Sequence, residues 1–451
     1  MRANLVYWYS GQLVFGLASV LMYYIALDVE SLFFNAVSLF CLLGFICFSM
    51  QQMNVVVGNF LFVFMFLFSA IAVVVVEYGV YLPEIDVTTF FQGAAARNIL
   101  LMIFFAAVMQ VISLGIFQIS TGRVAKVKGL DGLLLKVMPP MCFLLLLFYV
   151  VVIIIYGSPL LMGVDRFYFW RSIAPPWFRY VHTLMPQLAF IVSFAFSVGH
   201  LRKRAALLWG GVAVLAVIAG GEKFSGLFLM LVFAALPVFI LRVRAGKGAL
   251  KVIFGFSVFM CLLMGVVAIS YISIYGDAFY DKILTRIALQ GQMLWALDQR
   301  ATLEGLSADV VWRSLFGLGA EDTNAGMPYL MYLVAPAATV DAYLAGGATF
   351  TAPFPANIQV FFGYNLAPVV VAVIACVVGA LSGLLMASIK SRSLIFSLLL
   401  IKFYWFFYIA VAMGELRTAF DWKYGLYVFL VLAMLLASAG RKSYKGVGHV
   451  E

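Results

Sequence analysis

Long runs of apolar residues separated by short polar segments dominate the pattern along the chain. A helix that crosses a bilayer needs about 20 largely apolar residues, and twelve runs come close to that length. Strands of a transmembrane barrel would instead be about 10 residues long and alternate in polarity. The pattern therefore predicts an all-α polytopic membrane protein. The predicted spans are residues 5–27, 32–50, 55–76, 98–119, 137–156, 180–199, 205–220, 224–241, 252–274, 358–387, 394–413 and 424–439.

The placement of lysine and arginine predicts the orientation of these spans. Cytoplasmic loops of membrane proteins carry an excess of both residues. Twelve spans put both termini on one side, and the loops on that side hold seventeen of the 29 lysines and arginines, against only Asp131 and Glu451. We therefore expect both termini to be cytoplasmic.

The outer loops are unequal in length. One runs over residues 157–179, and the largest, about 275–357, lies between the ninth and tenth spans. Apolar residues recur at helical spacing over 278–303, which predicts a helix there. If that helix is continuous, Arg286 and Arg300, four turns apart, share one face. The expected organisation is spans one to nine over 1–274, a large partly helical outer loop over 275–357, and the last three spans with a cytoplasmic tail over 358–451.

Composition agrees with a membrane protein and narrows the chemistry. Apolar residues make up 65% of the chain and charged residues 11%, whereas soluble proteins carry roughly 25% charged residues. The five cysteines lie in apolar runs, and the three histidines form no paired motif, so we expect no metal and no cofactor. No glycine-rich nucleotide loop occurs, and the net charge of +10 follows from topology, so we expect no nucleic-acid partner.

Arginines on the outer side need an explanation beyond topology, because the rule places cations inside. The guanidinium stays charged and matches phosphate oxygens in two-point contacts. The outer arginines are Arg97, Arg166, Arg171, Arg179, Arg286, Arg300, Arg313 and Arg417. Each could bind an anionic ligand or simply pair with a carboxylate in its loop.

Three short clusters concentrate the candidate chemistry. The first, residues 163–182, interleaves Arg166, Arg171 and Arg179 with aromatic residues and ends at His182. It could hold a sugar, or form an aromatic belt at the membrane surface. The second, 220–226, places Glu222 and Lys223 between two spans, where charges are costly unless they are paired or functional.

The third cluster, residues 414–423, packs four charges into a short outer turn. Glu415 or Asp421 could act as a general base toward a sugar hydroxyl, or could neutralise Arg417. Glu222 is a third candidate catalytic carboxylate. The preferred anion-binding set is Lys223, Arg286 and Arg417.

In these features the chain resembles the bacterial Wzy-type polymerases of oligosaccharide repeat units, which make O-antigen. Such proteins have about a dozen spans and a large late outer loop. The turn 220–226 and the segment 353–364, with its prolines and Phe362-Gly363, are similar to elements found in many members. An Arg-x10-Gly spacing seen in some members is missing from the outer arginines here.

The resemblance implies a GT-C-like membrane glycosyltransferase of the bacterial inner membrane, with its active face toward the periplasm. Its donor would be an oligosaccharide on undecaprenyl pyrophosphate, a leaving group that makes nucleotide and metal unnecessary. The implied pyrophosphate- or substrate-binding residues are Lys223, Arg286, Arg417, Arg166, Arg171, Arg179, Arg300, Arg313 and His182. The partners would be the lipid-linked glycan, membrane lipid and a chain-length regulator.

Two alternative functions remain open from the sequence. An O-antigen ligase uses the same donor, but ligases tend to have a histidine in the large loop, and 275–357 contains none. A lipid-linked oligosaccharide flippase or secondary transporter also fits twelve spans, although transporters usually show two related halves, which this chain lacks.

Overall fold

The structure is a computed structural model that describes most of the chain. It covers residues 2–29, 31–121, 128–164, 166–222, 224–243, 276–317 and 325–414, with positions 265, 272, 416, 425–427 and 429–430. The predicted spans 252–274 and 424–439 lie mostly outside the described residues.

Helices make up nearly all of the described secondary structure. They are α1 Arg2–Asp28, α2 Leu32–Ser49, α3 Met53–Gly58, α4 Phe60–Val76, α5 Ala94–Ser120, α6 Lys128–Tyr156, α7 Pro159–Met162, α8 Arg166–Tyr168, α9 Phe178–Ser197, α10 Lys203–Ala219, α11 Ser225–Arg242, α12 Phe279–Asp298, α13 Ala308–Ser314, α14 Gly326–Val334, α15 Ala337–Ala345, α16 Ala356–Lys390 and α17 Leu394–Ala412. A π-helical turn, Phe169–Ile173, follows α8. One small hairpin pairs β1 Tyr81–Leu82 with β2 Val87–Thr88.

Several helices have the length and polarity of membrane spans, which confirms the predicted class. Within the described ranges, eight segments are long and apolar enough to cross a bilayer. They are Asn4–Asp28, Leu32–Gly58, Ala94–Ser120, Gly129–Met162, Phe178–Ser197, Ser225–Arg242, Ala356–Lys390 and Leu394–Ala412. The helix Phe60–Val76 is apolar but shorter. The total of twelve spans and the cytoplasmic termini stay predictions.

The chain packs as two compact units, each assembled from three stretches of the sequence. Unit 1 comprises Met1–Phe117, Tyr271–Leu384 and Phe403–Ala433. Unit 2 comprises Gln118–Ser270, Leu385–Lys402 and Met434–Glu451.

In unit 1, the helix of the large loop packs tightly on a membrane-type helix. Helix α12 lies against α4, and Gly291 allows the approach, since a Cβ there would lie 2.5 Å from the carbonyl carbon of Ala72. The prediction of a helix over 278–303 is confirmed in type, but the helix ends at Asp298. Arg300 therefore does not continue the face that carries Arg286, because the chain turns directly after Asp298.

Capping contacts join the loops at one end of unit 1. The Glu77 carboxylate accepts a hydrogen bond from the backbone N–H of Ala94 at 2.7 Å, and Asn35 Oδ1 accepts one from that of Ala96 at 3.0 Å. Both side chains satisfy N–H groups that the first turn of α5 leaves without helical partners. Ala352 and Ala412 also bond here through their backbones. These contacts join segments that the predicted topology places on the outer side.

The long helix α16 is broken at Gly363, whose φ of +72° interrupts its helical backbone. The loop 301–307 fills this break. Thr302 accepts a hydrogen bond from Tyr364 N–H at 2.9 Å, and the Leu306 N–H donates to Phe361. The tenth predicted span therefore begins with a separate short helical piece.

Unit 2 is built around α9, which contacts α6, α10 and α11. At one end, the Asp131 carboxylate accepts hydrogen bonds from Ser393 Oγ and from the N–H of Ile395, which caps α17. At the same end, Arg242 donates to the carbonyl of Ser197, and Lys390 donates to that of Ile240. These contacts connect loops that the predicted topology places in the cytoplasm.

Candidate functional site

The opposite end of unit 2 gathers the ends of four helices. Helix α6 ends there at Tyr156, α9 begins at Phe178, α10 ends at Ala219 and α11 begins at Ser225. Because consecutive membrane helices alternate in direction, the segments 157–179 and 220–224 must lie at the same end. The first and second sequence clusters, predicted separately, therefore meet in space.

Glu222 is the centre of this site. Its Oε1 atom lies 2.7 Å from Arg166 Nη1 and 3.2 Å from His182 Nε2. Its Oε2 atom accepts a hydrogen bond from the backbone N–H of Gly226 at 3.2 Å, in the first turn of α11. The carboxylate is thus held by one cation, one imidazole and a helix N-terminus, all of which favour its negative charge.

His182 is oriented by a second partner that the sequence analysis did not identify. Its Nδ1 atom lies 2.7 Å from the hydroxyl of Tyr149, which is fully buried in α6. Because an ionised Glu222 can only accept, Nε2 of His182 donates to it, and Nδ1 faces the hydroxyl of Tyr149. One tyrosine within an apolar run offers no distinguishing signal in sequence.

Aromatic packing completes the cluster. The Arg166 guanidinium carbon lies 5.6 Å from the ring centre of Trp170, and that ring lies 4.6 Å from the ring of His182. Glu222 and His182 are 7% and 6% exposed, whereas the Arg166 side chain is 27% exposed. Arg166 is therefore the member of this set most accessible to a ligand.

The turn 220–226 is rich in glycine because neighbouring side chains leave little room for a Cβ at these positions. Gly221 has a φ of +89°, and a Cβ at this position would lie 3.0 Å from the Cβ of Arg166. A Cβ at Gly220 would collide with the hydroxyl of Tyr149, and one at Gly226 would lie 2.8 Å from the carboxyl carbon of Glu222. The glycines let this backbone approach the charged side chains closely.

The surroundings of Glu222 shift its ionisation. Burial alone would raise the pKa of this carboxyl, but the hydrogen bond from His182 and the charge of Arg166 outweigh it, and the net effect lowers the pKa. Glu222 is therefore an anion at neutral pH. It serves to hold Arg166 and His182 and is only a weak proton acceptor.

The remaining predicted residues are distributed elsewhere. Lys223, Glu415, Arg417 and Asp421 lie outside the described residues, so their roles stay predictions. Arg171 and Arg179 are exposed in or beside the first outer loop, and Arg286 is exposed on α12.

Two of the arginines predicted to lie on the outer side pair with a carboxylate of the protein. Arg313 forms a surface ion pair with Asp309 on α13. Arg97 is buried in unit 1, and its Nη2 and Nε atoms lie 2.5 and 3.2 Å from the Asp298 carboxylate oxygens. Arg300, by contrast, lines a cavity beside Arg97. The pairing of Arg97 with Asp298 spans 201 positions and was not predicted.

No cluster suited to a metal ion is found in the part of the chain that the structure describes, counting groups of three or more His, Cys, Asp or Glu side chains.

Comparison with known proteins adds one partial similarity. The model of a family of unknown function, DUF6418, matches residues 320–428, which is less than half of the chain. No curated protein and no solved structure matches the chain. The matched segment includes the broken helix α16 and all of α17, and it excludes the cluster around Glu222.

Proposed function

We propose that this protein polymerises oligosaccharide repeat units carried on undecaprenyl pyrophosphate, by glycosyl transfer at the periplasmic face of the bacterial inner membrane. The observation that carries the proposal is the cluster of Arg166, Glu222 and His182. Three residues selected from the sequence as site candidates meet at one end of a bundle of apolar helices. Charged groups in such a setting are costly unless they are paired with one another or serve a function.

The chemistry requires a cation near the leaving group. As the bond between the anomeric carbon and the pyrophosphate oxygen breaks, negative charge develops on that oxygen, and a fixed guanidinium stabilises it. Arg166 supplies this charge, and Glu222 with Trp170 holds its orientation. The acceptor hydroxyl forms the new bond to the anomeric carbon. Its proton passes to a carboxylate, for which Glu415 and Asp421 stay candidates, whereas Glu222 holds Arg166 in place.

The membrane setting fits such a donor. The polyprenyl tail is apolar and is stabilised against the apolar helices of unit 2, while the pyrophosphate reaches the charged cluster at their ends. In this proposal both termini are cytoplasmic, the clusters 163–182 and 220–226 face the periplasm, and a chain-length regulator controls the product. Transfer needs neither nucleotide nor metal, since the pyrophosphate ester is already activated.

The decisive experiment uses the purified full chain in lipid vesicles that contain undecaprenyl-pyrophosphate-linked repeat units and no nucleotide. The wild type should convert single repeats into a ladder of longer glycans on a gel. Arg166→Ala should reduce the rate by at least tenfold, because it removes transition-state charge stabilisation. Arg204→Ala, at an exposed arginine on α10, is the matched control and should retain the ladder.

Other outcomes identify the alternatives. In vesicles that also contain lipid A core, transfer of a single glycan to that core without lengthening would indicate a ligase. Movement of the lipid across the vesicle membrane without any new glycosidic bond would indicate a flippase. A normal ladder from Arg166→Ala would remove this residue from the mechanism.

A further inference from the structure

Unit 1 contains a cavity of its own, and one of the predicted substrate-binding residues, Arg300, lines it. Its volume is about 540 Å³, within the range of roughly 300–1,000 Å³ typical of small-molecule sites. The cavity lies where loop 77–93, the start of α5, the end of α12 and the break in α16 come together. The lining residues are Phe90, Gln92, Arg97, Asp298, Gln299, Arg300, Ala301 and Tyr364.

Most of the wall is held rigidly by contacts within unit 1. Gln92 donates from Nε2 to the carbonyl of Trp295 at 2.7 Å, and the Trp295 indole N–H donates to the carbonyl of Phe90 at 2.9 Å. The rings of Phe90 and Trp295 pack edge to face, 5.4 Å apart. The hydroxyl of Tyr364 donates to the carbonyl of Asp298 at 2.9 Å. A preformed wall lowers the entropic cost of binding.

The charge inside the cavity is smaller than its two arginines suggest. Arg97 donates to both carboxylate oxygens of Asp298, to the carbonyl of Gln92 at 2.6 Å and to that of Ala26 at 3.2 Å. Its charge is therefore neutralised and its donors are largely satisfied. Arg97 builds the wall rather than receiving a ligand.

Arg300 differs from Arg97 both in burial and in pairing with a carboxylate. It directly follows α12 and is exposed. Among the described residues, no carboxylate lies within 4.0 Å of its guanidinium. Of the lining residues that the structure describes, Arg300 alone thus presents an unbalanced positive charge, next to the amide of Gln299 and the rings of Phe90 and Tyr364.

We infer that this cavity binds a carbohydrate that carries one carboxylate, such as a uronic acid residue. The guanidinium of Arg300 pairs with the carboxylate, the amide side chain bonds hydroxyl groups, and the aromatic rings cover the C–H faces of the sugar. A single guanidinium balances the one negative charge of a carboxylate but only part of the charge of a pyrophosphate. The inference rests on the proposed function in that a lipid-linked glycan is the expected source of such a sugar.

The test compares two disaccharides that differ in one group, cellobiouronic acid and cellobiose, by isothermal titration calorimetry on the purified full chain in detergent. Cellobiouronic acid should bind about tenfold or more tightly, as expected for a hydrogen-bonded charge pair. Arg300→Ala should remove this preference, and Arg300→Lys should retain part of it, because a lysine keeps the charge but not the planar fork. Arg204→Ala is again the control and should bind like the wild type.

Three results would overturn the inference. They are equal binding of the two disaccharides, an unchanged preference in Arg300→Ala, and tighter Arg300-dependent binding of inorganic pyrophosphate than of cellobiouronic acid. Arg300 is exposed, so its variants should fold, and circular dichroism checks this. The binding assay requires no turnover, so failure of glycan lengthening leaves it unaffected, and failure of the binding leaves the lengthening assay unaffected.

Discussion

The contribution of the Arg166–Glu222 pair to stability can be measured by comparison with a second, exposed arginine–carboxylate pair in the same chain, Arg313–Asp309. In the Arg166–Glu222 pair the side chains are 27% and 7% exposed, and in the Arg313–Asp309 pair they are 54% and 67% exposed. A double-mutant cycle isolates the coupling within each pair. The cycles use arginine to glutamine and carboxylate to amide substitutions, singly and together.

The coupling energies should differ severalfold. A hydrogen bond between charged groups that are largely shielded from water contributes about 1.5–3 kcal/mol, so we expect about 2 kcal/mol for Arg166–Glu222. The surface pair is spaced i,i+4 on a helix and should couple by only about 0.3–0.5 kcal/mol. Glu222 is replaced once in the presence of Arg166 and once in its absence. The loss of the bonds from His182 and Gly226 is therefore nearly the same in both cases and largely cancels from the coupling energy.

The assay is reversible unfolding of the purified protein by sodium dodecyl sulfate in mixed micelles, followed by tryptophan fluorescence and circular dichroism. Coincident transitions by the two probes are required before free energies of unfolding are compared. Equal coupling in the two pairs, or less than about 0.5 kcal/mol for Arg166–Glu222, would refute the argument that this cluster is a shielded electrostatic unit.

Three further predictions follow from single contacts. Tyr149→Phe should lower the free energy of unfolding by about 1 kcal/mol, because it removes only the hydroxyl bonded to His182; no change would show that this bond is not formed. The lowered pKa of Glu222 means that its ionised form stabilises the fold above the pKa of the unfolded carboxyl, and that this contribution is lost as the pH falls from there through the lower pKa of the folded state. The stability difference between wild type and Glu222→Gln, measured over pH, should therefore shrink on acidification, and a constant difference would contradict the assignment. Gly305→Ala should lower the free energy of unfolding by more than about 2 kcal/mol, because Gly305 has a φ of +78° and its Cβ would collide with the backbone at the break in α16. A Cβ at Gly44 in α2 meets no atom within 4 Å, so Gly44→Ala should leave the free energy of unfolding unchanged or raise it.

The sequence by itself was sufficient for the membrane class and for much of the helical content. Apolar runs of span length have few stable folds in a bilayer other than helices, since every backbone N–H and C=O must be satisfied internally. The glycine-rich turn and the arginine-rich loop were also identifiable, because charges beside apolar runs are unusual enough to stand out. The hairpin over Tyr81–Thr88 was not predicted, because its strands are only two residues each.

Only the tertiary structure decided which charged residues become partners. Arg166 and Arg97 look alike in sequence, yet one joins Glu222 at the end of unit 2 and the other is buried against Asp298 in unit 1. Hydropathy sets where a helix begins and ends. These helices are apolar on most sides, so it does not set which face turns toward which neighbour. That rotation is determined by close packing, such as the contact of Gly291 with Ala72, and it determines whether an arginine meets a carboxylate or remains available for a ligand.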